Sequence, residues 1–318
     1  MWSRYSTVLA ATVIGGTLAC AASTGRSASW LPVGVQAVSF LGDSLRELPL
    51  SATTRRRYGS QANEAADALE IDPIDAESII WYGRRLAYLG QFREAIDVYS
   101  SGIALYPNNA WLYRHRGHRY LSVRDIDRAI ADLEHAARLV DGKPDEVEED
   151  GQPNAHNMPI GTLHSNINYH LGLGYYLKGD FARAALVYRH DLAEARNDDR
   201  RVSATHWLYM SLRRLGRDAE AAEVLKPIHR GMQVIENDTY RRLDLMYKGE
   251  MPVDSVLVVA PTGEMSVTDA TAAYGVGNWY LYNGKRADAE RVFRRIIAGG
   301  QWGAFGYIAA EAELARMR

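Results

Sequence analysis

The chain has 318 residues, 47% apolar, 24% charged and 10% aromatic, which is enough apolar material to fold and too little charge to stay disordered. Its length exceeds what one ordinary core needs and calls for two domains or an elongated repeat array. With 37 basic against 39 acidic side chains the formal net charge is −2, which argues against general nucleic-acid binding, and a single cysteine excludes an internal disulfide or a thiolate-rich zinc site.

The N-terminus carries one positive residue, Arg4, before an uncharged run from Thr7 to Ala19 and small residues after Cys20. This is the pattern of a secretory signal, and it is shorter than the roughly 20 helical residues that cross a bilayer. Thr17-Leu18-Ala19-Cys20 resembles the bacterial lipobox, with Thr17 where that pattern places an aliphatic residue. The resemblance implies a signal peptide over residues 1–20, acylation of Cys20 and an exported, periplasmic protein. Ala21 after the cysteine resembles the outer-membrane sorting pattern, and ordinary signal-peptidase cleavage near Cys20 is the alternative. Residues 21–57, rich in Ser, Gly, Leu and Pro and ending in Arg55-Arg56-Arg57, read as a tether with a short apolar contact at Trp30 to Phe40.

From Tyr58 onward the chain is periodic. Gly83 and Gly117, and likewise Ala95 and Ala129, recur at a spacing of 34 residues, a solenoid period. Ile79 to Pro107, with Gly83, Leu86, Ala95, Tyr99 and Pro107, resembles the tetratricopeptide repeat. The small residues let two helices approach closely, and the proline ends the second helix. Matching residues set five units near 76–109, 110–143, 165–198, 202–235 and 270–303, the fourth with Tyr209 where the small residue belongs. A lone helix over Tyr58 to Glu70 and a C-terminal capping helix over 304–318 should close the ends of the array, since an uncovered repeat face is an apolar patch. The expected fold is an all-α, right-handed solenoid over residues 58–318.

Two interruptions break the period. Residues 141–163 hold Asp145-Glu-Val-Glu-Glu-Asp150 bounded by prolines and predict an exposed acidic loop, in which Glu148→Ala should be nearly neutral. Residues 251–269 include Val256-Leu-Val-Val259 and predict an extended insert laid across the array. Between them Asn237 to Gly249 reads as a single helix of a truncated pair.

Catalytic motifs are scarce. Gly172-Leu-Gly174 and Gly275-Val-Gly277 fall inside repeat helices and lack the strand and third glycine of a dinucleotide site, and no nucleophile or zinc-protease motif occurs. His115 and His118 are three apart on a helix, a spacing a metal could bridge, but Arg114, Arg116 and Arg119 surround them and oppose a cation. His156, His164 and His170 flank the acidic loop with irregular spacing. No cofactor or metal is expected.

The tetratricopeptide resemblance further implies that one stripe of each first helix lines a concave face. That rule selects Arg84 and Tyr88 from the first unit, then Trp111, Arg114 and His118 from the second. The third gives Asn166, Tyr169 and Tyr176; the fourth gives His206, Arg213 and Arg214; the fifth gives Asn278 and Tyr282. Arginine and amide donors with aromatic contact surface suit a protein or peptide ligand carrying acidic or C-terminal carboxylate groups. The expected function is a non-enzymatic cell-envelope adaptor, touching the membrane only through its lipid anchor. The alternative is an envelope protein that binds a small molecule or glycan, with an enzyme using His206 or the loop histidines behind both.

Overall fold

A computed structural model describes residues 31–257 and 265–318. Cys20 and the signal pattern lie outside the described residues. After two short paired strands, β1 (Ala37–Val38) and β2 (Ser44–Leu45), everything regular is helical. The helices pair in sequence order, and the chain is an all-α helix-pair repeat protein. The pairs are α2 (Ala76–Tyr88) with α3 (Phe92–Leu105), α4 (Ala110–Ser122) with α5 (Ile126–Val140), and α6 (Leu163–Lys178) with α7 (Phe181–Ala193). They continue as α8 (Asp198–Arg214) with α9 (Asp218–Leu225) and α12 (Val267–Tyr282) with α13 (Arg286–Ala298). Outside the pairs stand α1 (Ala52–Ile71), α10 (Asp238–Tyr247), the single turn α11 (Val253–Val256) and α14 (Phe305–Met317). None of the described helices is long and apolar enough to cross a membrane.

Local sequence sets these boundaries. Ser51, Asp75, Asn109, Asp180 and Asn197 each accept a hydrogen bond from the first turn of the helix they precede, and Thr162 and Ser266 form reciprocal caps with Ser165 and Asp269. The reversal inside each pair needs one residue in the left-handed region. Gly90, Gly179, Gly216 and Gly284 supply it at φ of 82°, 83°, 70° and 78°. In the second pair Arg124 holds the same place at φ 65°, a conformation that costs a side-chain-bearing residue strain.

Small residues at the helix crossings do what the periodicity implies. Ala95, Ala129, Ala184, Ala221 and Ala289 are wholly buried, and a Cβ on Gly172 would lie 2.5 Å from the Tyr188 ring. Ala95→Leu and Gly172→Leu should therefore each lower stability by about 1–3 kcal/mol or more by overpacking, measured by urea denaturation. An unchanged midpoint for both would contradict this packing. Pro227 ends α9 after eight residues, and α10 also packs on α8, with Tyr209 stacked on Tyr247 at 4.6 Å between ring centres.

Three expectations change. Residues 34–57 are not a tether: Val35, Ala37 and Leu45 are buried, Gln36 bonds to Glu94 and to the Arg93 amide, and α1 begins at Ala52 because Ser51 caps it. The second interruption opens with the helical turn α11, whose Val256 is buried with Leu243, Met246 and Val276; residues 258–264, on which the extended reading also fell, lie outside the described residues. Finally, α14 does not cap an end. Its Tyr307, Ile308, Ala310, Glu311, Glu313 and Leu314 are all buried, and it packs on α12, α13 and α6. Glu311 pairs with Arg124 at 2.7 Å and accepts the Phe40 amide, while Trp302 meets Phe92 edge-on and donates to the Glu47 carbonyl. The C-terminal segment thus joins the second repeat to the N-terminal strands.

Candidate functional site

The residues expected along one groove fall into two groups. Arg84, Tyr88, Arg114, His118, Asn166 and Tyr169 line a cavity of about 680 Å³ on the inner side of the first three repeats. The rest lie outside it, with Tyr176, His206 and Asn278 buried and Trp111, Arg213, Arg214 and Tyr282 half-buried. Tyr176 accepts from Tyr274 and Asn278 at 3.0 and 2.9 Å, and Arg214 reaches Asn278 and pairs with the buried Glu313 at 2.6 Å. Arg213 donates to Tyr209 and Asn283, forms an ion pair with Asp218 and lies over the Tyr282 ring. His206 has no exposed surface, and burial lowers its pKa to about 3. Its ring lies 4.0 Å from the equally buried Asp244, whose carboxyl burial pushes well up. Trp111 stacks near His115 and does not line the cavity. A groove running through all five units is therefore absent from the described residues, because α14 occupies the space where its second half would lie.

The acidic loop is the larger correction. It folds inward as a roof over the cavity. Glu148 is only 6% exposed, pairs with Arg114 at 3.0 Å and with Arg84 at 4.0 Å, and accepts from Asn166 at 2.7 Å. Arg84 also donates to the Glu149 carbonyl, Arg85 to the Gly151 carbonyl and Tyr58 to Gln152. Gly151 sits so close to the Tyr88 hydroxyl that a Cβ there would clash. On the far side Asn154 donates to Glu236, and Asn197 donates to the Ile160 carbonyl. The loop composition signalled exposure, yet cations from α2 and α4 and an amide donor from α6 supply the partners that let the Glu148 carboxylate go inside.

The cavity wall is basic and incompletely paired. Arg84, Arg114 and Arg119 stand within electrostatic reach of one another, and among the described residues Glu148 is the one carboxylate that pairs with any of them. Among the described residues the side chain of Arg119, which the concave-face rule passed over, has no carboxylate or hydrogen-bond partner, and it rests on the Phe92 ring at 5.3 Å. Burial pushes its guanidinium down to about 10, with Arg114 and Arg84 acting in the same direction. The Nε of Arg114 and the Nε2 of His115 are buried without partners. Burial also holds His115, His118 and His170 well below the usual histidine range, so the ring cluster is neutral, with His118 against His170 at 4.1 Å and Phe305 of α14 beside both. The roof side is acidic: Asp150 and Glu236 line the same cavity, and Asp150 Oδ2 is buried without a donor. Among the described residues no three His, Cys, Asp or Glu side chains are grouped to hold a metal ion. Arg119 could have been found from sequence as the residue one turn after His115 on a helix rich in cations.

No family model matches the chain, and no curated protein matches it. Among solved structures it is similar to YrrB, described as a TPR protein with an unusual peptide-binding site, at 18% identity and a TM-score of 0.42 over 74% of this chain and 92% of that one. It is also similar to a tetratricopeptide repeat protein from Parabacteroides merdae ATCC 43184, at 14% identity and a TM-score of 0.47 over 78% and 89% of the two chains. A third is MamA of AMB-1, at 18% identity and a TM-score of 0.41 over 55% of this chain and 90% of that one.

Proposed function

We propose that this chain is a non-enzymatic binding scaffold of the cell envelope, held at the membrane by acylated Cys20, and that it captures the terminal carboxylate of a partner polypeptide in the roofed cavity. One observation carries the reading: Arg119 is a half-buried guanidinium on the cavity wall with no anion among the described residues, beside two more arginines that share one carboxylate. A cation on a partly desolvated cavity wall gains from a ligand carboxylate through charge-assisted hydrogen bonds. The site takes a chain end rather than an extended acidic segment, since α14 blocks a long groove, and Glu149 and Asp150 of the roof with Glu236 facing them repel further carboxylates.

Isothermal titration with a peptide carrying a free C-terminal carboxylate and with its amide tests this. The free acid should bind and the amide should lose about 1.5–3 kcal/mol. Arg119→Met should abolish the difference while the exposed Arg183→Glu leaves it intact. Equal binding of acid and amide would end the proposal. The anchor is tested apart from the site: Cys20→Ser should release the protein from the detergent phase and end fatty-acid labelling.

A further inference from the structure

The cavity has two poles of opposite sign, and the carboxylate reading uses one of them. We propose, resting on that reading, that the ligand is a short free peptide, its carboxylate against Arg114 and Arg119 and its ammonium against Asp150 and Glu236. The basic pole has unused capacity in side chains that are more than nine-tenths buried: Arg114 is 6% and His115 4% exposed, and each keeps one ring or guanidinium nitrogen without a partner.

The acidic pole has the complementary deficit. Asp150 Oδ2 has neither solvent nor a donor, its neighbours Glu236 and Glu148 carry the same sign, and Arg84 is the single opposing charge acting on it. Burial first, then Glu236, hold this carboxyl up to about 6. Such a group asks for a cation. No third ligand stands near enough to hold a metal ion among the described residues, so an organic ammonium fits better. The cavity volume, about 680 Å³, is that of a small-molecule site, and Tyr88, Tyr169 and Tyr240 give it rigid amphipathic walls. A dicarboxylate would suit the basic pole but meet Asp150 and Glu236; a diamine would meet Arg114 and Arg119. A zwitterion satisfies both.

The test is calorimetric titration of the full chain with trialanine, N-acetyl-trialanine and trialanine amide. Trialanine should bind, and each blocked form should bind about tenfold or more weakly, the loss of one charge-assisted contact. Asp150→Asn should erase the preference for trialanine over its N-acetyl form while keeping the preference over the amide. Because it removes a like charge from the roof, this variant should melt no lower than the parent; Glu236→Gln serves as the second variant. If N-acetyl-trialanine binds as tightly as trialanine and the amide is lost, the peptide inference fails and carboxylate capture stands. If the three are indistinguishable, or none binds, both fail.

Discussion

Glu311→Ala should destabilise the folded chain by about 3–5 kcal/mol, because it leaves Arg124 as a buried charge without its partner. Glu311 has no exposed surface, and Arg124 is 9% exposed. Two guanidinium nitrogens of Arg124 reach the Glu311 carboxylate at 3.0 and 2.7 Å, and one of them also donates to the Trp302 carbonyl. The same carboxylate accepts the Phe40 amide, so the substitution loosens three segments at once. Urea denaturation should show the midpoint falling, whereas the double change Arg124→Leu with Glu311→Met should recover most of the loss, since no charge is then left uncompensated. A single-site cost below about 1 kcal/mol would show that the pair is not buried as described.

The second large effect is expected at Glu148, where the composition of its segment suggested almost none. Glu148→Ala should cost about 3–5 kcal/mol by stranding Arg114 and leaving the Asn166 amide without its acceptor. Glu149→Ala, on an exposed neighbour that contributes its backbone carbonyl, should stay within about 0.5 kcal/mol. Adding formate should raise the melting temperature of Glu148→Ala more than that of the parent, as a small carboxylate re-enters the arginine wall. If Glu148→Ala and Glu149→Ala melt together, the roof does not close as described here.

How much of this was legible in the chain divides by the range of the interaction. Gly83, Ala95, Gly172 and Ala184 act through the helix next to them, so a spacing of 34 residues was enough to place the pairs. The polar chemistry acts over longer range. Whether Glu148 is solvated depends on Arg84 and Arg114, and whether Arg214 faces a groove depends on Glu313, 99 residues further on. Two local marks did hint at the outcome. Glu311 and Glu313 sit among alanines on a helix with no polar face to hold them in water, and Arg124 stands at the turn position where the other pairs use glycine. Each is an inconsistency within its repeat that makes sense only with the other in view.

That pairing changes how the chain should fold. An open array is built from neighbours in sequence, so it can nucleate in any unit, spread outward and fray from its ends. Here the bond from Arg124 to Glu311 spans 187 residues and that from Phe40 to Glu311 spans 271. Such links add loop-closure entropy to the barrier and withhold their reward until the last helix docks. The expected behaviour is a single cooperative transition with no early loss of the terminal units, and amide exchange in α1 and α14 as slow as in the central pairs. Cutting the chain before α14 should turn the remaining helices into a frayed, gradually melting stack.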